Sequence, residues 1–140
     1  MKFLLAIGTL LVAAVVLSAA AGDAVTYVDH EKVAKGGTLV TAPSLSVSMN
    51  SRKAAGEVEV HDKETDTFYV IDGSATVVTG GAMVGGRVTG AGQQRGTDIK
   101  GGETHHLAKG DVMVIPAGIP HWFKEVPQSI NYYVVKVIKQ

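Results

Sequence analysis

Nine short runs rich in β-branched and aromatic residues follow one another from residue 38 to residue 139, and Gly, Pro, Asn and Asp separate them. They include "GEVEVH", "TFYVID", "DVMVIP" and "INYYVVKVIK". Such runs are typical of β-strands, and the residues between them are typical of turns. A series of about eight to ten short strands predicts an all-β domain, built as an antiparallel sandwich or barrel.

Length and composition set the limits of this domain. A chain of 140 residues is long enough for one core and too short for two domains of typical size. There is no cysteine, so neither disulfides nor thiolates contribute to stability or chemistry. The 13 basic and 13 acidic residues balance, which gives no general attraction for nucleic acid or anionic lipid. We therefore expect a small-molecule substrate or ligand.

Residues 1–21, "MKFLLAIGTLLVAAVVLSAAA", have the layout of a secretory signal peptide, with one charge at Lys2, an apolar run and an A-x-A-like end. Cleavage near Ala20 or Ala21 predicts a periplasmic or secreted protein whose single domain is residues 22–140. An uncleaved membrane anchor is the alternative, because the run approaches the ~20 residues that span a bilayer. No cationic cluster follows the run, which favours cleavage and no stable membrane insertion afterwards.

Two stretches depart from the strand pattern. In "TYVDHEKVAKGG", Asp29 as a helix N-cap and the Gly-Gly pair as a stop predict a short N-terminal helical segment. Residues 79–106 are glycine-rich and have weak strand character in "AMVGGRV" and "TDIKG", so they predict a long insertion. This insertion is either a lid over the barrel mouth that carries Arg87 or Arg95 to an anionic substrate, or a flexible excursion.

The stretch "KGDVMVIPAGIPHWFKEV" places a histidine directly after a tight turn. The run "VMVIP" reads as a buried strand that ends where Pro116 can no longer donate a hydrogen bond to the ladder. Gly118 is free to adopt a positive φ in the reversal that follows. The next strand then starts at a rigid corner, with His121, Phe123 and Glu125 on one face. Such rigidity suits a metal ligand, which must be held in a fixed position.

An earlier stretch, "GEVEVHDKETDTFYVIDG" at residues 56–73, gathers carboxylates and a histidine. If residues 57–61 form a strand, its period of two places Glu57, Glu59 and His61 on one face and the intervening valines on the other.

Together the two stretches resemble the paired motifs of the cupin superfamily. The second cupin motif, Gly-x5-Pro-x-Gly-x2-His-x3-Asn, corresponds to residues 110–125, with matches at Gly110, Pro116, Gly118 and His121 and with Glu125 at the Asn position. The first motif, His-x-His-x3–4-Glu-x6-Gly, corresponds to residues 56–73, with a match at Gly73, His61 at the second His, Glu59 at the first His and Asp66 at the Glu.

The resemblance implies a double-stranded β-helix, a small jelly-roll barrel whose inward side chains hold a divalent metal. The implied metal ligands are Glu59, His61, Asp66 and His121. A mixture of imidazoles and carboxylates favours Fe or Mn, with Zn or Ni as the second choice. Without a metal, the histidines would be hydrogen-bonded interior residues and the carboxylates a solvated acidic edge. His105, expected on the inner face, is a candidate for a third imidazole.

Aromatic residues divide between the two faces of the predicted barrel. Phe68, Val70 and Phe123 share parity with the proposed ligands and form either the wall of a pocket or simply the core. Cupins often dimerise by packing their outer faces, and four aromatic residues expected there predict a homodimer: Tyr69, Trp122, Tyr132 and Tyr133.

The leading expectation is an exported, metal-binding cupin enzyme with oxygenase-like chemistry on a small metabolite. Glu57 and Glu125 are the candidate catalytic groups for proton transfer. The alternative is a non-enzymatic cupin that binds a small molecule or saccharide and has lost its metal. An epimerase-like cupin with a histidine base ranks last, because it needs an opposing tyrosine in the barrel and Tyr69 has the wrong parity.

Overall fold

A computed structural model of the chain describes residues 24–140. The predicted signal peptide, residues 1–21, lies outside the described residues. No helix in the described part is long and apolar enough to cross a membrane. The elements in chain order are α1 (His30–Ala34), β1 (Gly37–Ala42), β2 (Leu45–Arg52), β3 (Val58–His61), β4 (Glu64–Thr79), β5 (Ala82–Val84), β6 (Arg87–Gly90), β7 (Gln93–Gly96), β8 (Asp98–Lys100), β9 (Glu103–Ala108), β10 (Val112–Ile115), β11 (His121–Glu125) and β12 (Ile130–Ile138).

The short helix α1 begins and ends where the sequence predicts. The Asp29 side chain accepts a hydrogen bond from the backbone N–H of Lys32 at 2.8 Å, which satisfies one of the free donors of the first turn. Gly36 and Gly37 have φ values of 71° and 81°, so the chain leaves the helix through the left-handed conformation that glycine favours.

The strands form an antiparallel jelly roll in which the long strand β4 belongs to two sheets. Residues 64–73 of β4 pair with β12, and part of the same half pairs with β10. Residues 74–79 pair with β9, and β11 lies on the other side of this half. The first sheet therefore has the order β1-β2-β12-β4-β10, and the second has the order β9-β4-β11-β3-β7-β6. The predicted all-β barrel is confirmed.

Gly73, the last residue of the first motif, sits where β4 passes from one sheet to the other. Its φ is 79°, and a Cβ atom at this position would lie 2.0 Å from the backbone oxygen of Ser129. Both the conformation and the close approach of the neighbouring backbone require glycine.

The core lies between the two sheets. Phe68, Val70 and Phe123 are buried in it, as their parity predicts. The expectation for Tyr132 is wrong: it is only 4% exposed and packs inside the barrel. Because successive residues of β12 alternate between faces, Tyr132 and Tyr133 cannot both point outward. The other members of this core are Ala75, Val77, Leu107, Ile115, Ile130 and Val134.

The glycine-rich segment 79–106 folds as four strands that precede β9. Strands β6 and β7 extend the second sheet beyond β3, and β5 pairs with β8 as a separate ribbon. Ile99 and Met83 of this ribbon pack with Val58, Val78 and Trp122 in a second apolar cluster. The segment is therefore built into the fold as strands and is not an irregular excursion.

The corner at Gly73 gives a stability prediction. Gly73→Ala should lower the free energy of unfolding by about 2–5 kcal/mol, because it adds both backbone strain and a steric clash. Gly110→Ala is the matched control, since Gly110 has a φ of 91° but a Cβ added there would meet no atom within 4 Å. It should cost only about 1–2 kcal/mol. Urea denaturation measures both, and equal losses would contradict the role of the Ser129 contact.

Candidate metal centre

The turn between β10 and β11 connects the two sequence motifs. Gly118 has a φ of 83°, and its N–H donates a hydrogen bond to the carbonyl of His61 at 2.8 Å. The chain then enters β11 at His121, which is paired in register with Glu59 of β3. Because directly paired residues of antiparallel strands point to the same face, the turn aims the His121 imidazole at the side chains of β3.

Four side chains converge inside the barrel at this point. The Nε2 atom of His61 lies 3.3 Å from Oε2 of Glu59 and 3.6 Å from Oδ2 of Asp66. The Nε2 atom of His121 lies 3.9 Å and 3.8 Å from the same two oxygens. His61, Asp66 and His121 are buried, and the Glu59 side chain is 24% exposed. The structure thus brings together the four residues that the sequence predicts as metal ligands.

The outer nitrogen of each imidazole is already engaged. His121 Nδ1 is 3.1 Å from the carbonyl oxygen of Ile119, which can only accept, so Nδ1 carries the proton and donates it. His61 Nδ1 contacts the side-chain oxygen of Gln93 in the same way. The Nε2 atom of His121 therefore presents its lone pair to the cluster, and that of His61 does so when its imidazole is neutral. A partner on the far nitrogen that fixes the tautomer is typical of metal-binding histidines.

Among the buried side-chain nitrogen and oxygen atoms of residues 24–140, only the two Nε2 atoms of His61 and His121 have no hydrogen-bond partner. Leaving a buried polar atom unpaired is costly, so each such atom needs an explanation. A metal ion bound by ligands at ~2.0–2.2 Å separates neighbouring donor atoms by roughly 3–3.5 Å, close to the nitrogen–oxygen distances found here. Within the described residues, the groups whose donor atoms lie close enough together to share one metal ion are Glu59, His61 and His121, and His61, Glu64 and Asp66. Both groups are donor sets that suit a divalent metal.

Burial and neighbouring charges shift the pKa values of Glu59, His61 and His121 in different directions. Burial would raise the pKa of Glu59, but contact with His61 and the charge of Arg95 outweigh it and lower this pKa to about 2. Burial would also lower the pKa of His61, but the adjacent Glu59 carboxylate leaves that pKa raised. For His121 burial prevails, and its pKa lies below the ordinary value. Glu59 is thus ionised at any physiological pH, and His121 is neutral, which is the form that binds metal.

Lys136 of β12 holds the carboxylates on one side of the cluster. Its ammonium group donates to both oxygens of Asp66 at 2.9 and 3.0 Å and to Glu64 Oε2 at 2.8 Å. Glu64 in turn accepts a hydrogen bond from the side-chain amide of Gln93 at 3.0 Å. Lys136, Glu64 and Gln93 were not predicted from the sequence. Lys136 could have been found from the sequence, because it is the charged residue among the alternate positions of "INYYVVKVIK" whose side chains face the barrel interior.

Two arginines neutralise Glu59 from the other side. Its second oxygen, Oε1, lies 3.6 Å from Arg52 and 3.8 Å from Arg95. Arg95 is paired in register with Glu59 across β3 and β7, so the glycine-rich segment does deliver an arginine to the site. Arg87, the other arginine considered, instead pairs with Glu57 at 2.8 Å on the surface.

The two candidate catalytic groups do not join the cluster. The Glu57 carboxylate is about half exposed and binds Arg87. The expectation that Glu125 shares a face with His121 is wrong, because the register against β4 shifts after Phe123. This bulge turns Glu125 outward, where Thr76 donates to it at 3.4 Å.

His105 lies on the inner-face row of β9, as predicted, since it is paired with the buried Val77. Its Nε2 atom contacts the Thr79 hydroxyl at 3.0 Å. It is not a member of the metal-competent groups of residues found in the described part of the chain.

Comparison with known proteins agrees with this fold. The chain matches the sequence model of the family described as Cupin over residues 13–138. The protein therefore belongs to the cupin family. The comparison with curated proteins found no relative.

Solved structures show the same fold. A Bacillus halodurans protein is 18% identical, with a TM-score of 0.58 and coverage of 85% of each chain. KdgF from a Halomonas species is 17% identical, with a TM-score of 0.53, covering 75% of this chain and 80% of that one. The cupin domain of Cnp3 from Schizosaccharomyces pombe is 15% identical, with a TM-score of 0.54 and coverage of 74% and 60%. At these identities the likeness is one of fold.

The Lys136 contacts predict a large effect of removing the ammonium group. Lys136→Met should lower the free energy of unfolding of the metal-free protein by about 2–4 kcal/mol, because it leaves the buried Asp66 carboxylate unpaired. The control is Lys109→Met, since Lys109 is exposed and its replacement should change stability by less than about 0.5 kcal/mol. Equal stability of the two variants in chemical denaturation would contradict the role assigned to Lys136.

Proposed function

We propose that this protein is a metal-dependent cupin that binds one divalent transition metal through Glu59, His61, Asp66 and His121 and acts on a small metabolite. The observation that carries the proposal is the pair of buried Nε2 atoms without a partner, both facing the same two carboxylate oxygens. Fe(II) or Mn(II) is the first choice for two imidazoles with two carboxylates, and Zn(II) or Ni(II) the second.

Each residue of the site has a definable task. A bound divalent metal would supply a Lewis acid and a template for substrate oxygens. Glu59, held ionised, and the neutral His121 provide ligand atoms without first losing a proton. Phe68 and Phe123 form the apolar part of the wall of the adjoining cavity, which measures about 100 Å³. Oxygenase-like chemistry is the reaction class we favour for such a site.

A second candidate function is a metal-free cupin that binds a small molecule or saccharide. The observation that favours it is the double hydrogen bond from Lys136 to Asp66, which occupies a carboxylate that the metal would need. In that case the two imidazoles would serve as hydrogen-bonding groups for the ligand.

We also propose that the protein is exported after cleavage within residues 1–21 and works as a homodimer. The support for a dimer is a set of exposed apolar side chains on the outer face of the first sheet, because an exposed apolar patch is typical of an interaction surface. They are Tyr69, Val112, Val114 and Val137, with exposures of 48%, 62%, 58% and 51%.

The metal is tested by elemental analysis of untagged protein and of three single variants. Wild type should contain close to one equivalent of a transition metal, and His61→Ala and His121→Ala should lose it because each removes a ligand. His105→Ala is the control, since this imidazole stands on the same sheet but binds Thr79, and it should retain the metal. Wild type that is folded but metal-free, before and after incubation with Fe(II) or Mn(II), would favour the second candidate.

The dimer is tested by light scattering. Wild type should show twice the monomer mass, and Val114→Lys should shift the equilibrium to monomer by placing a charge in the apolar face. Val88→Lys is the control, because Val88 is 76% exposed on β6 of the other sheet. A monomer mass for wild type, or equal behaviour of the two variants, would reject this interface.

A further inference from the structure

Strand β2 presents its polar side to the interior of the barrel. Ser48, Asn50 and Arg52 are paired in register with the inward residues Val134, Tyr132 and Ile130 of β12. The residues that alternate with them, including Val47 and Met49, point outward. A strand that only completed a core would show the opposite pattern, with apolar residues inside. The reversed pattern indicates that the interior holds something polar.

These three polar residues and the metal ligands face one another across a single cavity. It measures about 100 Å³ and is lined by Ser48, Asn50 and Arg52 on one side and by Glu59, Asp66 and His121 on the other, with Tyr132 and Lys136 beside them. A water molecule occupies about 30 Å³ in the liquid, so this is room for roughly three waters. The Arg52 and Glu59 side chains are 28% and 24% exposed, so solvent reaches them.

The β2 side of the cavity is rich in unused hydrogen-bond donors. The Asn50 amide donates one N–H to the Ser48 hydroxyl at 3.2 Å and has a second. Arg52 donates its Nε–H to the Tyr132 hydroxyl at 3.1 Å, which leaves the tyrosine O–H and the outer guanidinium N–H groups. The Arg52 guanidinium carbon also lies over the Phe123 ring, 4.7 Å from its centroid. A planar acceptor with two oxygens suits this arrangement.

Charge balance points to the same kind of ligand. Glu59, Glu64 and Asp66 are matched by three cations, Arg52, Arg95 and Lys136. The cluster is therefore close to neutral before any metal binds. A divalent metal would leave it with a net positive charge in a partly buried site, where uncompensated charge is costly. An anionic ligand between the metal and Arg52 removes that cost.

We propose that Ser48, Asn50 and Arg52 form a carboxylate-binding subsite and that the ligand is a small hydroxy or oxo acid. Its carboxylate lies against Arg52 and Asn50, and its second oxygen function faces the Glu59, Asp66 and His121 side. The inference deepens the proposed function and rests on it, because the ligand is placed beside the metal ligands. The proposed function assigns no role to Ser48, Asn50 or Arg52.

Isothermal titration with glycolate and with glycolamide tests the subsite, using metal-loaded and metal-free protein. Glycolamide is the matched uncharged probe, since it differs only in the group that faces Arg52. Glycolate should bind metal-loaded wild type at least tenfold more tightly than glycolamide does. Arg52→Met should weaken glycolate binding at least tenfold, and Asn50→Ala severalfold. Arg87→Met is the control, because Arg87 pairs with Glu57 outside the cavity, and it should bind glycolate as wild type does.

Metal content measured on the same samples separates the two proposals. If wild type holds metal but glycolate does not bind, or binds no better than glycolamide, the subsite is rejected and the metal centre stands. If glycolate binding is unchanged in both Arg52→Met and Asn50→Ala, the subsite is rejected as well. If wild type takes up no metal but binds glycolate in a manner that depends on Arg52, the subsite stands and the metal-dependent function is rejected.

Discussion

The structure depends on the burial of charged and polar side chains at the centre of a small barrel. Ionised groups inside a protein are costly unless each is paired, and a broken pair costs more than one never made. Here Lys136 holds Asp66 and Glu64, while Arg52 and Arg95 lie close to Glu59. Arg95 and Lys136 come from strands that are distant in sequence from the carboxylates they contact, so the barrel must close correctly before these two cations can act. Such a network disfavours shifted strand registers in the fold.

The backbone positions this network through two glycines. Gly73 lets β4 pass between the sheets, so the strand that supplies Asp66 to the first sheet also pairs with β11 in the second. Gly118 forms the turn before β11 and binds the carbonyl of His61. One hydrogen bond thus ties the turn that orients His121 to the strand that carries the other histidine. The rigidity of the site follows from backbone contacts, which are independent of whether a metal is bound.

The sequence predicted the parts of the site that local pattern determines. Period two placed Glu59 and His61 on one face, and the resemblance to the cupin motifs added Asp66 and His121; the structure brings the four side chains together. Glu125 was placed on the wrong face because a one-residue bulge in β11 has no clear sequence signal. Gln93 was not predicted, and Arg95 could not be told from Arg87, because the pairing of the glycine-rich segment with β3 is a long-range event. Local periodicity gives the face of a residue, but the partner across the sheet depends on the closed fold.

Lys136 and a bound metal would compete for the Asp66 carboxylate. A lysine ammonium and a divalent cation compete for the same carboxylate, so Asp66 cannot serve both with full strength. In the metal-free protein Lys136 compensates Asp66 and keeps the barrel folded. A metal bound as proposed would replace Lys136 as the partner of Asp66, and the ammonium, which lines the same cavity as Arg52, would then add to the positive potential there. Under the two proposals, the same residue would stabilise the metal-free protein and increase the preference of the metal-bound site for an anion, which would link metal binding to ligand binding.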